Sequence, residues 1–205
     1  MANNKLLASQ IADGNPANGR KESDFYPTPW EATHALLRFL NENCKVAINA
    51  TTIWEPACGN GYMSNEMRDI GFDVIATDIR QGVDFLKAEL VPCDWIITNP
   101  PFSNAGMFIE RCIKHEKPFA LLLKCHYWHA RKRLELFQKY PPSHILPLTW
   151  RVNFLPEKNS APLMDVMWVV WDGTHDTRYI PLEKPANKIQ DEFTNITRKA
   201  KWFNG

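Results

Sequence analysis

The spacing of apolar residues changes repeatedly along the chain, and the changes mark out its elements. Trp30, Ala32, Leu36, Leu37 and Leu40 recur at helical intervals. Thr28 stands where an N-cap belongs, and Pro29 falls at the first helical position, where its missing N–H costs nothing. Residues 51–55 then read as a strand, 62–70 as a helix, and 72–77 and 94–98 as strands. An amphipathic helix over 105–115 is stopped by Pro118. It is followed by a strand over 119–123, a basic helix over 128–139 and a strand over 143–148. The long β-rich run 164–171, with 177–182 after it, suggests a closing antiparallel strand or hairpin. Strands alternating with helices predict an α/β fold, a mostly parallel sheet with helices on both faces. Residues 1–22, rich in Asn, Gly and Ala and without periodicity, read as a flexible N-terminal arm. Residues 23–182 read as one domain, and 183–205 as a polar, Lys-rich tail that forms at most a loose helix.

Composition narrows the class. A chain of 205 residues, 44% hydrophobic and 23% charged, suits one globular domain with a substantial core. No apolar run nears the roughly 18 to 20 residues a membrane span needs, and the N-terminus has no signal-peptide core, so no membrane association is expected. Cys44, Cys58, Cys93, Cys112 and Cys125 are odd in number and scattered, with no CxxC pair and no metal-ligand spacing. Reduced thiols, a cytoplasmic location and no bound metal are therefore expected. The net charge of +1 conceals a polarity. Residues 1–100 carry 8 Lys/Arg against 13 Asp/Glu, and residues 101–205 carry 16 against 10. Such a chain can turn a basic face toward a polyanion.

The first strand runs into Glu55-Pro56-Ala57-Cys58-Gly59-Asn60-Gly61. Glycines at 59 and 61, between strand and helix, allow a tight turn and close approach of the backbone to a ligand. The third glycine of a dinucleotide loop is absent, since Ser64 stands in its place. An acidic Glu55 disfavours phosphate and favours a cationic or hydroxyl-bearing ligand. Asp78, at the end of the second strand, is placed to accept from ribose hydroxyls. Asp84-Phe85 offers a carboxylate and a ring suited to adenine. Together these residues describe an adenosine pocket with a positive centre, which fits S-adenosylmethionine.

Asp94-Trp95-Ile96-Ile97-Thr98 then ends in Asn99-Pro100-Pro101-Phe102. Two prolines cannot continue a sheet, so the strand stops with an amide and a ring on a stiff loop. An exocyclic amine conjugated to a ring is a poor nucleophile because its lone pair is delocalised. The Asn99 side-chain oxygen and the Pro100 carbonyl are two acceptors for its hydrogens and would aim the lone pair at a methyl group. Phe102 supplies a flat face for the base, and Pro101 stiffens the loop.

The TNPPF, EPACGNG, TDI, VDF and DFYPTPW segments together resemble the N6-adenine DNA methyltransferases, especially compact phage-type members. Their order, with YPTP first, the glycine loop second and NPPF third, resembles the gamma group of amino-methyltransferases. Trp168-Val169-Val170-Trp171-Asp172-Gly173 is similar to the closing strand of the phage enzymes, and the resemblance spans residues 24–175. It implies a Rossmann-like, S-adenosylmethionine-dependent fold whose catalytic domain fills residues 23–182. It places Asn99, Pro100, Pro101 and Phe102 at a flipped adenine. It assigns cofactor binding to Tyr26, Thr28, Pro29, Glu55, Pro56, Gly59, Gly61, Asp78, Asp84 and Phe85. The implied partner is DNA, double-stranded, in the cytoplasm of a bacterial host if the chain is phage-encoded. Lys124, Tyr127, Trp128, Arg131, Lys132, Arg133 and Arg151 fall on segments expected at the same rim, where they would contact nucleic acid or fill the base pocket. The same amino-methyl chemistry on RNA or a protein glutamine stays open, as does an inactive binding module, with N4-cytosine methylation a lesser rival. Gamma enzymes commonly carry a separate target-recognition domain, and the 30 residues after the segment of resemblance are not expected to form one. Selectivity would then be low, or come from loops such as 148–163, a partner or a dimer.

Overall fold

The computed structural model describes residues 26–154 and 164–189, without the Lys132 side chain. The expected N-terminal arm, part of the 148–163 loop and residues 190–205 of the tail lie outside the described residues. In chain order the elements are α1 (Trp30–Asn43), β1 (Thr52–Glu55), α2 (Tyr62–Ile70), β2 (Asp73–Ala76), β3 (Trp95–Thr98), α3 (Ala105–His115), β4 (Phe119–Lys124), α4 (Leu134–Lys139), β5 (His144–Pro147), β6 (Val166–Trp171) and β7 (Arg178–Tyr179). The strands form one sheet in the order β2-β1-β3-β4-β6-β5-β7. Strands β2, β1, β3 and β4 are mutually parallel, β6 is antiparallel to both its neighbours, and β7 runs parallel to β5.

The central strands are apolar on both faces because helices cover both. Alternate residues feed two separate cores. Ile97, Ala120, Leu122, Trp168 and Val170 join Leu36, Leu37 and Leu40 of α1 and Met63 and Met67 of α2. Ile96, Leu121, Leu123, Met167 and Val169 join Phe108, Ile109 and Cys112 of α3. Strand β6, read VMWVVW and buried throughout, can only be an interior strand. Its Trp168 indole donates to Ala32 O at 2.8 Å, tying β6 to α1, and its Trp171 stacks on Phe119 at 4.6 Å.

Three expectations need correction. The antiparallel strand is present, but it does not form a hairpin of 164–171 against 177–182: β6 inserts between β4 and β5, and the exposed two-residue β7 takes the edge beside β5. A strand as apolar as β6 is stabilised most in the sheet interior, while Arg178 and Tyr179 suit a short, solvated edge. The helix expected over 128–139 is broken. Single turns at Cys125–Trp128 and Arg131–Arg133 precede the short α4, with Ala130 extended between them. That break lets Trp128 pack on Phe137 at 4.6 Å and folds the Arg133 guanidinium back over the Tyr127 ring at 3.7 Å. Thr28 does not cap α1; Pro29 occupies the N-cap without a side-chain bond. The start of the polar tail is docked. Ile189 is buried and its N–H donates to His34 Nδ1 at 3.0 Å, while Lys188 reaches Glu66 at 2.7 Å.

No described helix is long and apolar enough to cross a membrane.

Candidate active site

Strands β1 and β3 are neighbours, with β2 beyond β1 and β4 beyond β3, so the strand order reverses between them. The crevice outside their C-terminal ends is where open α/β sheets hold ligands. Parallel register carries four segments to that rim: the loop after β1, Asp78 after β2, Asn99 after β3 and Lys124 at the end of β4. Strand β6 begins beside Lys124, and β5 ends beside β6, so the 148–154 segment reaches the same rim.

The loop after β1 turns through Gly59 at φ 57° and Gly61 at φ 80°, the left-handed region that glycine enters without a Cβ penalty. Asp78 braces it. One Asp78 carboxylate oxygen accepts from the Gly59 N–H at 2.8 Å. The other accepts from the Arg80 N–H at 2.9 Å and the Arg80 guanidinium at 3.1 Å. Burial alone would raise the Asp78 pKa, but these bonds from Arg80 and Gly59 outweigh it and hold the group below its ordinary value. A carboxylate has about four lone-pair sites, so the oxygen facing Gly59 keeps acceptor capacity for a ligand hydroxyl. Pro56 is buried at the start of this loop.

Beneath the loop, Glu55 is 3% exposed and accepts a hydrogen bond from the Ser64 hydroxyl. Burial pushes its pKa up to about 7 against the opposing Ser64 bond and the Arg68 charge. Glu55 is thus a buried acid whose charge a nearby cationic ligand would stabilise.

Asp84 accepts from the Leu86 N–H at 3.1 Å and pairs with Lys87 at 3.4 Å. Phe85 is 2% exposed, with its ring packed on Trp54 and Phe108 at 5.1 and 5.0 Å. Its ring face is therefore closed to a ligand, which corrects the expected stacking role. What the position can offer is its backbone.

The Asn99 amide is oriented from one side. Its Nδ2 donates to Tyr26 O and to Thr28 Oγ1, each at 3.1 Å. A carbonyl can only accept, so the Tyr26 bond fixes which way the amide faces. Asn99 Oδ1 is then left buried without a hydrogen-bond partner. An unsatisfied buried carbonyl costs about 1–3 kcal/mol, so a ligand N–H at this position would be rewarded. Pro100 is buried and Pro101 half-buried, which keeps the following turn, Phe102–Asn104, in place.

The Phe102 ring meets Tyr26 at 5.5 Å and Phe154 at 6.5 Å, and the Lys124 ammonium lies 5.1 Å from its centroid. Phe154 also meets Tyr26 at 5.6 Å. The sequence put Arg151 on a segment expected at this rim but gave Phe154 no role of its own; an aromatic in the loop after β5 was the available signal. Tyr26 and Thr28 sit against Asn99, and Pro29 begins α1 beside them.

The expected nucleic-acid residues divide. Lys124 stands at the rim beside Phe102. Arg131 is exposed, and Arg151 is exposed and paired with Asp165 at 3.1 Å. Tyr127 is buried beneath Arg133, which donates to the Tyr127 carbonyl, and Trp128 is half-buried on Phe137. Tyr127 and Arg133 therefore hold the loop together, and Tyr127 has no face free for a base.

No protein-family model matches the chain, and no curated protein matches it. Solved structures do. A candidate RNA methyltransferase from Pyrococcus horikoshii superposes with a TM-score of 0.59 at 16% identity, over 84% of this chain and 99% of that one. A candidate class I S-adenosylmethionine-dependent methyltransferase from Listeria monocytogenes gives 0.56 at 14% identity, over 95% and 75%. A modification subunit of a candidate type I restriction enzyme from Vibrio vulnificus gives 0.53 at 15% identity. It shares 98% of this chain but only 57% of its own length. At these identities the likeness is one of fold, the Rossmann-like fold of class I methyltransferases.

Proposed function

We propose that the protein is an S-adenosylmethionine-dependent methyltransferase acting on the exocyclic N6 amine of adenine in double-stranded DNA. The observation that carries this reading is the Asn99 amide, held by Tyr26 and Thr28 so that a buried acceptor is left empty at the strand end. A buried acceptor at the strand end is what a target amine requires.

The rim suits the cofactor. Glu55, Asp78 and Asp84 stand before and after its glycine loop, and these carboxylates favour a nucleoside with a positive centre over a pyrophosphate. Asp78 would accept from the ribose hydroxyls, Asp84 and the backbone at Phe85 would receive the adenine, and Gly59 and Gly61 would line the methionine half above Glu55. Tyr26, Thr28 and Pro29 would close over that end, with Pro56 fixing the start of the loop. The bound cofactor supplies an electrophilic methyl group on a sulfonium.

The protein's own residues would do the rest. Asn99 Oδ1 and the Pro100 carbonyl accept the two amine hydrogens and draw the nitrogen toward tetrahedral geometry. Pro101 restricts the loop, so the acceptors are positioned before the substrate arrives. Phe102 stacks on the extruded base, offsetting part of the unstacking cost, with Phe154 and Tyr26 supporting it. Lys124, Arg131 and Arg151 would meet phosphates, as would Lys132. The modification-subunit likeness supports DNA as the polymer; the NPPF segment supports the amine.

The test is nucleoside mass spectrometry on unmethylated duplex DNA incubated with the protein and S-adenosylmethionine, with Asn99→Ala alongside. N6-methyladenine is expected from the wild type. The variant should lose about 100- to 1,000-fold in turnover, the cost of one transition-state hydrogen-bond partner, with cofactor affinity by calorimetry little changed. Equal turnover in the variant would remove Asn99 from the mechanism. Methylation of RNA or of a glutamine peptide in place of DNA would keep the chemistry and change the acceptor.

A further inference from the structure

At the sheet edge opposite the rim, three residues far apart in sequence bring their donor atoms to one point. Cys44 follows the C-terminus of α1, His144 opens β5 and Asp172 follows the last residue of β6. His144 Nε2 lies 3.0 Å from Asp172 Oδ2. Cys44 Sγ lies 3.4 Å from the same oxygen and 4.0 Å from the same nitrogen. Among the described residues this is a His/Cys/Asp group whose ligand atoms all fall within 4.8 Å of one another. Nothing in the proposed methyl transfer uses it, and the sequence spacing predicts no metal ligands.

We propose that Cys44, His144 and Asp172 form a zinc site. Zinc–sulfur, zinc–nitrogen and zinc–oxygen bonds of usual length place tetrahedral donors about 3.3–3.6 Å apart. The three separations bracket that range, so a metal could enter with adjustments of a few tenths of an ångström. A thiolate, an imidazole and a carboxylate together suit Zn²⁺ better than Mg²⁺ or Ca²⁺, which take oxygen ligands. His144 is 4% exposed, its polar contacts all lie at Nε2, its Nδ1 is buried without a hydrogen-bond partner, and its ring is braced edge-on by Phe39 at 5.0 Å.

Asp172 is held as well. Its other oxygen accepts from the Thr174 N–H at 2.9 Å and the Thr174 hydroxyl at 2.7 Å. Its own N–H donates to Ser143 Oγ at 3.1 Å. Such support of a ligating carboxylate sharpens metal affinity. Cys44 and Asp172 are only half-buried, so an ion could reach the site from solvent and keep a water as its fourth ligand. Binding would release the Cys44 thiol proton to solvent, with His144 neutral and its remaining proton on Nδ1. Because the three residues stand at the end of α1, the start of β5 and the end of β6, the ion would clamp one helix to this antiparallel strand pair, away from the chemistry.

The experiment uses the full chain stripped of metal, titrated with Co²⁺ and then with Zn²⁺. One Co²⁺ per chain is expected, with a thiolate-to-cobalt charge-transfer band and the visible bands of a tetrahedral site, all displaced by Zn²⁺. The charge-transfer band should vanish in Cys44→Ser and persist in Cys125→Ser, each checked for folding by circular dichroism. In the wild type, Zn²⁺ should protect Cys44 from alkylation, read by peptide mass spectrometry, a readout that does not depend on any variant folding. Failure to bind stoichiometric Co²⁺, a thiolate band that survives Cys44→Ser, or Cys44 alkylation indifferent to Zn²⁺ would each overturn the site. None of these readouts involves methyl transfer, so they leave the function proposed above untouched.

Discussion

Glu55→Gln should leave stability nearly unchanged in mild acid and raise it at neutral to alkaline pH. The carboxyl is buried beneath the glycine loop, with the Ser64 hydroxyl donating to it. Burial, opposed by that hydrogen bond and by Arg68, lifts its pKa from 4.5 to about 7. For an acid whose pKa rises on folding, the folded chain holds a proton that the unfolded chain releases. Stability is then greatest below the unfolded value and is lost as pH rises from 4.5 to about 7. At about 1.36 kcal/mol per pH unit, that interval is worth about 3 kcal/mol. Glutamine carries no charge yet keeps an oxygen for Ser64, so the variant escapes the loss. Urea unfolding of both proteins at about pH 4.5 and pH 8 measures it. The variant's advantage should be a few tenths of a kcal/mol at the lower pH and about 3 kcal/mol at the higher. An advantage that is the same at both, or a variant less stable at pH 8, would show that Glu55 ionises as an exposed carboxyl does. The idea that burial governs it would then be wrong.

Two further substitutions separate binding from chemistry. Asp78→Asn replaces an acceptor with an amide that must turn an N–H toward either Gly59 or Arg80. Calorimetry should show S-adenosylmethionine binding weakened by about 10- to 100-fold, the equivalent of about 1–3 kcal/mol for a disrupted buried hydrogen bond, and unaltered affinity would place the ribose elsewhere. Thr28→Val removes the hydroxyl that accepts from Asn99 Nδ2. Turnover should fall about tenfold, roughly the net worth of one hydrogen bond, with the cofactor KM little changed and Thr28→Ser restoring it. A pure KM effect would make Thr28 a cofactor contact and nothing more.

Most of the elements, and the rim at which they meet, could be read from the chain alone. Apolar runs over β1, β3 and β4, separated by helical periods, sufficed for a parallel sheet, because each strand's pattern is a local record of burial on both faces. The glycine loop, Asp78 and Asn99 were legible for the same reason: each follows a strand directly, and parallel strands all end at one edge. Pairing was not legible. Strand β6 lies between β4 and β5 because its six apolar residues are buried best there, a choice made by competition among distant strands. Phe85 and Tyr127 carry rings that suit a base, and only packing against Trp54, Phe108 and Arg133 shows them closed to one. Tertiary structure alone turned the Asn99 amide, since Tyr26 O and Thr28 Oγ1 reach it across more than 70 residues. Likewise it brought Cys44, His144 and Asp172 together. No spacing rule could find that trio, because its members meet only when α1 packs on the sheet and β6 runs back between β4 and β5.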